Sequence, residues 1–168
     1  MAGVEDAAVI ALLGRITFSE TFGSLFRDHQ DDLHAYLDAT FGVAKIERSL
    51  GKPENAYWLA FNQGLRVGYA KLKHPSPIAS LPQVDAAQLQ KIYVLRDFLG
   101  QGIGRPLLRA VLDRAAAVQA SAVWLAVLRA NRRAIHFYEG QGFTALGDDM
   151  HTIGAKTFDF HLMARQHA

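Results

Sequence analysis

Residues 100–106 read GQGIGRP and join a run typical of a strand to a run typical of a helix. The first run, QLQKIYVL at 88–95, is rich in β-favouring residues, and the stretch at 105–120 repeats its apolar residues at helical spacing. Glycines just before a helix leave its first backbone N–H groups open to an anion, and Pro106 suits the first helical turn. The segment therefore predicts either a phosphate cradle or a tight turn that binds nothing.

Spacing excludes the two commonest phosphate loops at this position. A dinucleotide-binding fingerprint needs G-x-G-x-x-G, but a count from Gly100 places Arg105 where the third glycine should stand. A count from Gly102 fails as well. A P-loop ends in Gly-Lys followed by Ser or Thr, and the chain contains no such tripeptide. A phosphate cradle at this position must therefore belong to another class.

The first half of the chain predicts helices followed by a hairpin. The first helix is expected to bury one face, formed by Val9, Leu12, Leu13 and Ile16. Asp31 or Asp32 is placed to cap a second helix that ends near Phe41. AYWLAFN and LRVGYAKLK flank the turn NQG, which predicts a β-hairpin with Gly64 at its tight position.

The second half alternates helices with strands. The helix expected over 105–120 has an apolar face formed by Leu108, Val111, Leu112, Ala115 and Val118. AVWLAVL at 122–128 predicts a buried strand, 131–140 a short helix, and TFDFHLM at 157–163 a final strand. Such interleaving indicates the α/β class, with a central mixed, twisted sheet flanked by helices. The length suits a single domain over residues 1–168.

Several kinds of site are excluded by what the sequence lacks. It has no cysteine, so disulfides, thiolate metal ligands and a cysteine nucleophile are ruled out. None of the seven histidines lies in an H-E-x-x-H arrangement, and no G-x-S-x-G elbow occurs. The uninterrupted apolar runs are too short to cross a bilayer, and the N-terminus does not resemble a signal peptide. We therefore expect a cytoplasmic protein that needs no metal.

Charge is distributed unevenly, although the net charge is only +2. Residues 1–42 carry seven acids against two arginines, a balance of −5, and the remainder has a balance of +7. Such segregation usually reflects solvated surfaces, but it can also attract ligands of opposite sign to the two ends of a molecule. The bases are scattered rather than striped, so nucleic-acid binding is the weakest hypothesis despite a pI near 9.0.

Two segments resemble motifs of the GNAT superfamily of N-acetyltransferases. VLRDFLGQGIGRPLL at 94–108 resembles the acetyl-CoA signature Gln/Arg-x-x-Gly-x-Gly/Ala, and NRRAIHFYEGQGF at 131–143 resembles the family's Asn-x-x-Ala-x-x-Phe-Tyr-x-x-x-Gly-Phe segment. They stand in the family's order, separated by one helix and one strand, and the resemblance covers about 57–165. Leu99 departs from the pattern because it replaces the Gln or Arg, so this position can offer only its backbone N–H.

The resemblance implies direct acyl transfer from the co-substrate acetyl-CoA to an amine, without a covalent enzyme intermediate. The backbone of Ile92, Tyr93 and Val94 would pair with the pantetheine arm, and the Val94 amide would polarise the thioester carbonyl as an oxyanion donor. The pyrophosphate would be held by the loop and first helical turn, namely Leu99, Gly100, Gln101, Gly102, Ile103, Gly104 and Arg105.

A second group of candidate residues lies in the 131–143 motif. Asn131, Ala134 and Tyr138 are spaced i, i+3 and i+7, so they share one helical face that can meet the other end of the cofactor. Tyr138 is the best catalytic candidate, since a phenol with a pKa near 10 stays protonated at neutral pH and can donate to the departing thiolate. Without the motif, a tyrosine beside Phe137 would be interpreted as a core aromatic, whereas the motif favours the acid role.

Two roles are not assigned to single residues by the sequence. The general base is not identified, and the candidates are His74, Glu20, Glu54 and Tyr93. The arginine that meets the 3′-phosphate of coenzyme A is also not identified, and the candidates are Arg105, Arg109, Arg132 and Arg133. Exposed arginines beside a helix usually face solvent only.

Two further segments resemble one branch of this family and indicate a class of acceptor. FSETFGSLF at 18–26 and LQKIYVL at 89–95 resemble the polyamine acetyltransferase branch typified by PaiA, for which the acidic first 42 residues would form a mouth attracting a polycation such as spermidine. The alternatives are a peptide or protein N-terminus, another small amine such as an amino acid or antibiotic, or a coenzyme A sensor without turnover. A homodimer is a further expectation, because edge strands of this fold often pair between subunits.

Overall fold

In the computed structural model, which describes residues 1–82 and 85–166, six strands form one sheet. The strands are β1 (Asn55–Asn62), β2 (Leu65–Lys73), β3 (Ala86–Val94), β4 (Ala122–Leu128), β5 (Thr144–Ile153) and β6 (Lys156–Gln166). Their order across the sheet is β1-β2-β3-β4-β6-β5. β3 and β4 run parallel, whereas the other neighbouring strands are antiparallel. The mixed sheet expected from the sequence is confirmed.

Helices cover both faces of this sheet. They are α1 (Ala7–Phe22), α2 (Gln30–Phe41), α3 (Val43–Leu50), α4 (Gly104–Ala117) and α5 (Arg132–Glu139). On one face, here called the α4 side, α4 and α5 pack over a cluster that includes Ala70. On the other face, the α1 side, α1 and α3 pack over a cluster that includes Tyr69. Tyr69 and Ala70 are consecutive on β2, so the two clusters lie on opposite faces.

The apolar run at 122–128 forms β4 with the bounds expected from the sequence. Val123, Leu125 and Val127 join the cluster on the α4 side. Leu128 joins the aromatic cluster formed with α1 and α2 on the α1 side. A strand covered on both faces carries apolar residues continuously rather than in alternation, which explains why this run has no polar residue.

The hairpin predicted around NQG is confirmed. β1 and β2 pair antiparallel, and Gln63 and Gly64 between them have φ angles of 48° and 80°. Positive φ at both central residues is typical of the two-residue turn that matches the twist of paired strands. Gly64 adopts this conformation without the steric cost that a side chain would add.

The first helix is confirmed, but its predicted buried face is wrong. Leu12 is 57% exposed and Ile16 is 39% exposed, whereas Ile10, Leu13 and Phe18 are buried. The helix is apolar around most of its circumference, so residue spacing alone favours no single face. The helical run Val4–Phe26 is also long and apolar enough to cross a membrane by length and composition, and its buried residues belong to the packing of the core.

The start of α2 also differs from the prediction. His29 is the residue that precedes the helix, so Asp31 and Asp32 lie in its first turn instead of capping it. Acidic side chains there interact favourably with the helix dipole. Asp32 has a second role, because its Oδ2 accepts a hydrogen bond of 2.9 Å from the Ala155 N–H in the turn between β5 and β6. Asp32 therefore ties α2 to that hairpin.

We expect Asp32→Ala to lower the stability of the protein by about 1 kcal/mol, the net contribution of a typical protein hydrogen bond, since this bond to a charged group is weakened by its exposure to water. For a chain of this size the melting temperature should fall by about 2–4 °C. Asp31→Ala is the matched control, because it removes an equivalent charge from the same helical turn without touching Ala155. Thermal unfolding of both variants under the same conditions is the measurement. Equal losses for the two variants would show that the contact to Ala155 contributes nothing.

Two elements were not predicted from the sequence. α3 begins at Val43, and Gly42 is the single residue between it and α2, so the sequence shows no loop between the two helices. β5 is an edge strand whose side chains are almost all exposed, and its sequence TALGDDMHTI lacks the alternation of a half-buried strand. The helix expected over 105–120 ends at Ala117, although its apolar face packs against the core as predicted.

Candidate active site

The parallel strands β3 and β4 separate along their length. They pair at Ala86–Gln88 with Ala122–Trp124, and no pairing between them continues beyond those residues. β3 also contains a bulge, since Lys91 pairs with Lys71 and Leu89 with Leu72, which leaves Gln90 unpaired with β2. A bulge bends its strand and increases the local twist. A cavity of about 790 Å³ opens in the resulting gap.

The open edge of β3 presents backbone N–H groups to this cavity. The Leu95 N–H donates a 2.9 Å hydrogen bond to Val67 of β2, on the paired side of the strand. N–H groups alternate in direction along an extended strand, so the N–H groups of Val94 and Ile92 point to the opposite edge, towards β4. Both residues line the cavity. Their amides are therefore placed to bind an extended ligand lying between the strands.

The glycine loop lies at one end of the cavity. Gly100 and Gly102 have φ angles of +84° and +81°, a conformation that favours glycine, and α4 begins at Gly104. A Cβ atom added to Gly102 would have no other atom within 4 Å, so the space beside its backbone is open. The Arg133 guanidinium lies next to Gly100, 3.5 Å from the position of an added Cβ. Open amides, a helix N-terminus and an arginine together favour a phosphate group.

The cofactor-binding and catalytic residues implied by the two motifs converge on this cavity with one exception. It is lined by Ile92, Tyr93, Val94, Leu99, Gly100, Gly102, Ile103, Gly104, Arg105, Asn131, Ala134 and Tyr138. The exception is Gln101, whose side chain donates to the Asp97 carbonyl and accepts from Asn62 Nδ2. Asn131 also caps α5, since its Oδ1 accepts the Ala134 N–H at 3.1 Å. Of the four candidate arginines, Arg105 and Arg133 line the cavity.

Tyr138 lies in a largely apolar wall of the cavity. It is 8% exposed, and its ring centroid lies 5.4 Å from that of Phe137 and 5.7 Å from that of Phe143. Burial raises the pKa of Tyr138 well above its usual value near 10. The phenol therefore remains a proton donor across the neutral and mildly alkaline range. Tyr138 therefore belongs to the core cluster on the α4 side and also lines the cavity.

The structure distinguishes among the four candidate bases. Tyr93 lines the cavity, but burial raises its pKa above the usual range, so at neutral pH it cannot accept a proton. Glu20 accepts the Arg96 N–H, and His74 bonds Asp85 at 2.9 Å. Neither Glu20, His74 nor Glu54 is among the described residues that line the cavity. None of the four therefore both lines the cavity and is free to accept a proton at neutral pH.

The acids of the first 42 residues lie outside the described lining of this cavity. Of its seven acids, Asp38 pairs with Arg15 at 2.7 Å, and three line a separate pocket of about 410 Å³ between residues 27 and 32. None of the seven is among the described residues that line the main cavity. Helix geometry explains the difference, because α1 and α2 turn aromatic side chains to the cavity, whereas their acids lie on other faces, where Glu20 accepts the Arg96 N–H and Asp32 the Ala155 N–H.

Sequence reasoning missed the other end of the cavity. Its wall on the α1 side is aromatic, with Phe18, Phe22, Tyr36 and Phe160, and it includes one lysine, Lys91. The sequence signal that could have identified this end is the lysine within the largely apolar run LQKIYVL. A bulge changes the face of the sheet on which the neighbouring strand residues lie, so such a lysine can face a cavity. Among the described residues, no group of three or more His, Asp or Glu side chains could hold a metal ion.

Comparison with known proteins agrees with this geometry. The profile of the acetyltransferase (GNAT) family matches residues 18–143. An uncharacterized N-acetyltransferase of Mycobacterium bovis is 30% identical over 136 residues, which cover 81% of this chain and 83% of that protein. The N-alpha-acetyltransferase RimI of Mycobacterium tuberculosis is 35% identical over 133 residues, covering 76% and 80%.

Solved structures show the same fold. The PaiA N-acetyltransferase of Thermoplasma acidophilum, in complex with coenzyme A, superposes with a TM-score of 0.74 at 19% identity, over 99% of this chain and 96% of that one. The fold, the family profile and the relatives at 30% identity or more agree with the two sequence motifs. The chain therefore belongs to the acetyltransferase (GNAT) family and is an N-acetyltransferase that takes its acetyl group from acetyl-CoA.

Proposed function

We propose that the protein, acting as a single catalytic domain, transfers acetyl directly to a primary amine in the gap between β3 and β4. One observation carries this proposal: the same cavity joins the open β3 amides, the glycine loop and Tyr138. The glycine loop supplies an anion site, the strand edge binds an extended chain, and the phenol supplies a proton. These are the three requirements of acyl transfer from a thioester attached to a pyrophosphate.

Acetyl-CoA would lie along this cavity with its pyrophosphate at the start of α4. The residues that would hold the pyrophosphate are Leu99, Gly100, Gln101, Gly102, Ile103, Gly104 and Arg105, mainly through main-chain amides. Gln101 would contribute only its backbone, since its side chain bonds Asn62. Arg133, beside Gly100, is the better placed arginine for a phosphate. Ile92 and Tyr93 would flank the pantetheine arm, and Asn131 and Ala134 would line its other side.

The reaction then follows from the groups around the thioester. The amine nitrogen attacks the carbonyl carbon, and the Val94 N–H donates a hydrogen bond to the oxygen that gains negative charge. The carbon–sulfur bond breaks as Tyr138 donates its hydroxyl proton to the thiolate. The proton on the attacking nitrogen leaves to water, and solvent reprotonates Tyr138. Tyr138 gives one proton to the thiolate and the attacking nitrogen releases one to water, so the protons balance and the products are an amide and a thiol.

The raised pKa of Tyr138 leads to a pH prediction. A group whose pKa is raised stays protonated to higher pH, so kcat should show no decline centred at or below pH 10, where an ordinary tyrosine titrates. The measurement is kcat at saturating substrates from pH 7 to pH 10. A decline centred below pH 10 in the wild-type enzyme that is absent in Tyr138→Phe would show that Tyr138 loses its proton in this range, and would contradict the raised pKa.

The acceptor is tested by a panel of primary amines with acetyl-CoA, followed by release of free thiol and by the mass of the acetylated product. The panel contains spermidine, a peptide with a free N-terminus, an amino acid and an aromatic amine. We expect turnover of at least one member. Saturable binding of acetyl-CoA without thiol release on any amine would instead favour a coenzyme A sensor.

A polyamine is the second candidate acceptor. Its support is the sequence resemblance of residues 18–26 and 89–95 to the polyamine branch. One carboxylate, Asp149, lines the cavity and could meet an ammonium group. Turnover of spermidine that is no better than that of neutral-bodied amines, over a range of ionic strengths, would remove this candidate.

A further inference from the structure

The cavity contains a lysine that the proposed chemistry does not use. Lys91 lines it from β3, and its Nζ atom makes neither a hydrogen bond nor an ion pair with any described residue. The Nζ atom lies 5.4 Å from the centre of the Phe41 ring and 5.5 Å from that of Tyr93. Aromatic faces partly stabilise an ammonium group, but they do not replace a counter-ion.

The position of Lys91 separates it from the phosphate end of the cavity. Phe41 and Tyr36, next to it, belong to the aromatic cluster on the α1 side. Gly104, at the phosphate end, lies against Phe137 on the α4 side. A ligand group that meets Lys91 is therefore on the far side of the sheet from the pyrophosphate. It belongs to the acceptor rather than to coenzyme A.

The remaining charges of the cavity do not neutralise Lys91. The charged or titratable side chains that line it besides the tyrosines are Lys91, Arg105, Arg133, Asp149 and His151. Asp149, the one carboxylate among them, lies on the edge strand β5, and its Oδ1 accepts the Met150 N–H. Burial lowers the pKa of Lys91, a shift that a bound anion would oppose. An anionic ligand would thus satisfy a group that the protein leaves unpaired.

We propose that Lys91 is a specificity residue that binds an anionic group on the acceptor, so that the preferred substrate is an amine carrying a carboxylate on an aromatic or apolar body. The aromatic walls at this end, including Phe18 and Phe160, suit such a body. This inference rests on the proposed transfer to a primary amine. It disfavours spermidine, because a polycation would bring ammonium groups towards an unpaired ammonium.

The test uses amines that differ only in a carboxylate. 2-Phenylethylamine is the neutral-bodied reference, and it is compared with phenylalanine and with 4-(2-aminoethyl)benzoate, which place the carboxylate near the amine and far from it. The wild-type enzyme should prefer at least one of the two carboxylated amines by about 10- to 100-fold in kcat/KM, the range expected for a hydrogen bond to a charged group. Lys91→Met should remove that preference, mainly through a higher KM for the carboxylated amines.

Lys71→Met is the matched control. Lys71 pairs directly with Lys91 across the strands and lies over the Tyr57 ring, but it is not among the cavity-lining residues. It should change neither the preference nor kcat. Calorimetry with acetyl-CoA checks that both variants are folded and bind the co-substrate.

The outcomes are distinguishable. Turnover of 2-phenylethylamine equal to or better than that of both carboxylated amines would overturn the anion subsite while leaving amine acetylation intact. An equal loss of kcat on all three amines in Lys91→Met would also overturn it, since that pattern belongs to a proton acceptor. Absence of turnover with these amines and with the wider panel would count against the proposed function itself.

Discussion

Replacing Gly102 with aspartate is expected to weaken acetyl-CoA binding by at least about 100-fold. The new carboxylate would enter the open space beside the loop, where the pyrophosphate is proposed to lie. A pair of like charges about 4 Å apart near a protein surface costs about 4 kcal/mol, which corresponds to more than 100-fold in affinity. Calorimetric titration of acetyl-CoA measures the change directly.

Two controls separate charge from backbone strain. An asparagine side chain has almost the same shape as aspartate but no charge. Gly102→Asn should therefore bind acetyl-CoA at least about 10-fold more tightly than Gly102→Asp. Gly64→Asp places the same residue at an almost identical φ, +80°, in the distant β1–β2 turn, and it should bind acetyl-CoA normally. Equal affinities for Gly102→Asp and Gly64→Asp would show that no anion lies at the glycine loop.

Replacing Tyr138 with phenylalanine is expected to lower kcat by about 100-fold, towards the lower end of what a general acid contributes. The lower end applies because a thiol is far more acidic than an alcohol, so a thiolate is a better leaving group than an alkoxide. The ring contacts with Phe137 and Phe143 remain, so the dissociation constant for acetyl-CoA should change little. Steady-state kinetics and calorimetry on the same preparation separate the two quantities.

Tyr69→Phe is the matched control for this substitution. Tyr69 is as buried as Tyr138, and burial also raises its pKa, but it does not line the cavity. Its replacement should leave kcat unchanged. A loss of acetyl-CoA affinity in Tyr138→Phe as large as the loss of turnover would assign Tyr138 to packing and leave the thiolate without an identified acid.

The strands and helices were predictable wherever a local pattern corresponds to one burial state. β4 matches its predicted bounds because both of its faces are covered, and the β1–β2 turn matches because Gln63 and Gly64 need positive φ. The face of α1 was not predictable, because an almost entirely apolar helix offers several equivalent faces. The exposed edge strand β5 lacks any pattern that burial would impose.

The glycine loop of the candidate site was predictable, and the end of the cavity that we propose for the acceptor was not. Gly100 and Gly102 are recognisable because one short segment supplies the whole loop. The acceptor end is assembled from α1, α2, β3 and β5, and its members share no sequence motif. Lys91 turns into it because of a bulge in β3, and the bulge depends on pairing with β2. The charge of residues 1–42 was misleading because charge counts do not say which way a side chain points.

We propose that backbone amides at the start of α4 hold the pyrophosphate of acetyl-CoA while the thioester lies between β3 and β4. Calorimetric titration of the wild-type protein with acetyl-CoA is compared with titration by acetylated pantetheine, which lacks the pyrophosphate together with the phosphorylated adenosine. We predict saturable binding of one acetyl-CoA per chain and at least about 100-fold weaker binding of acetyl-pantetheine, as loss of several charge-assisted hydrogen bonds requires. No saturation with acetyl-CoA, or equal affinity for the two compounds, would contradict the claim.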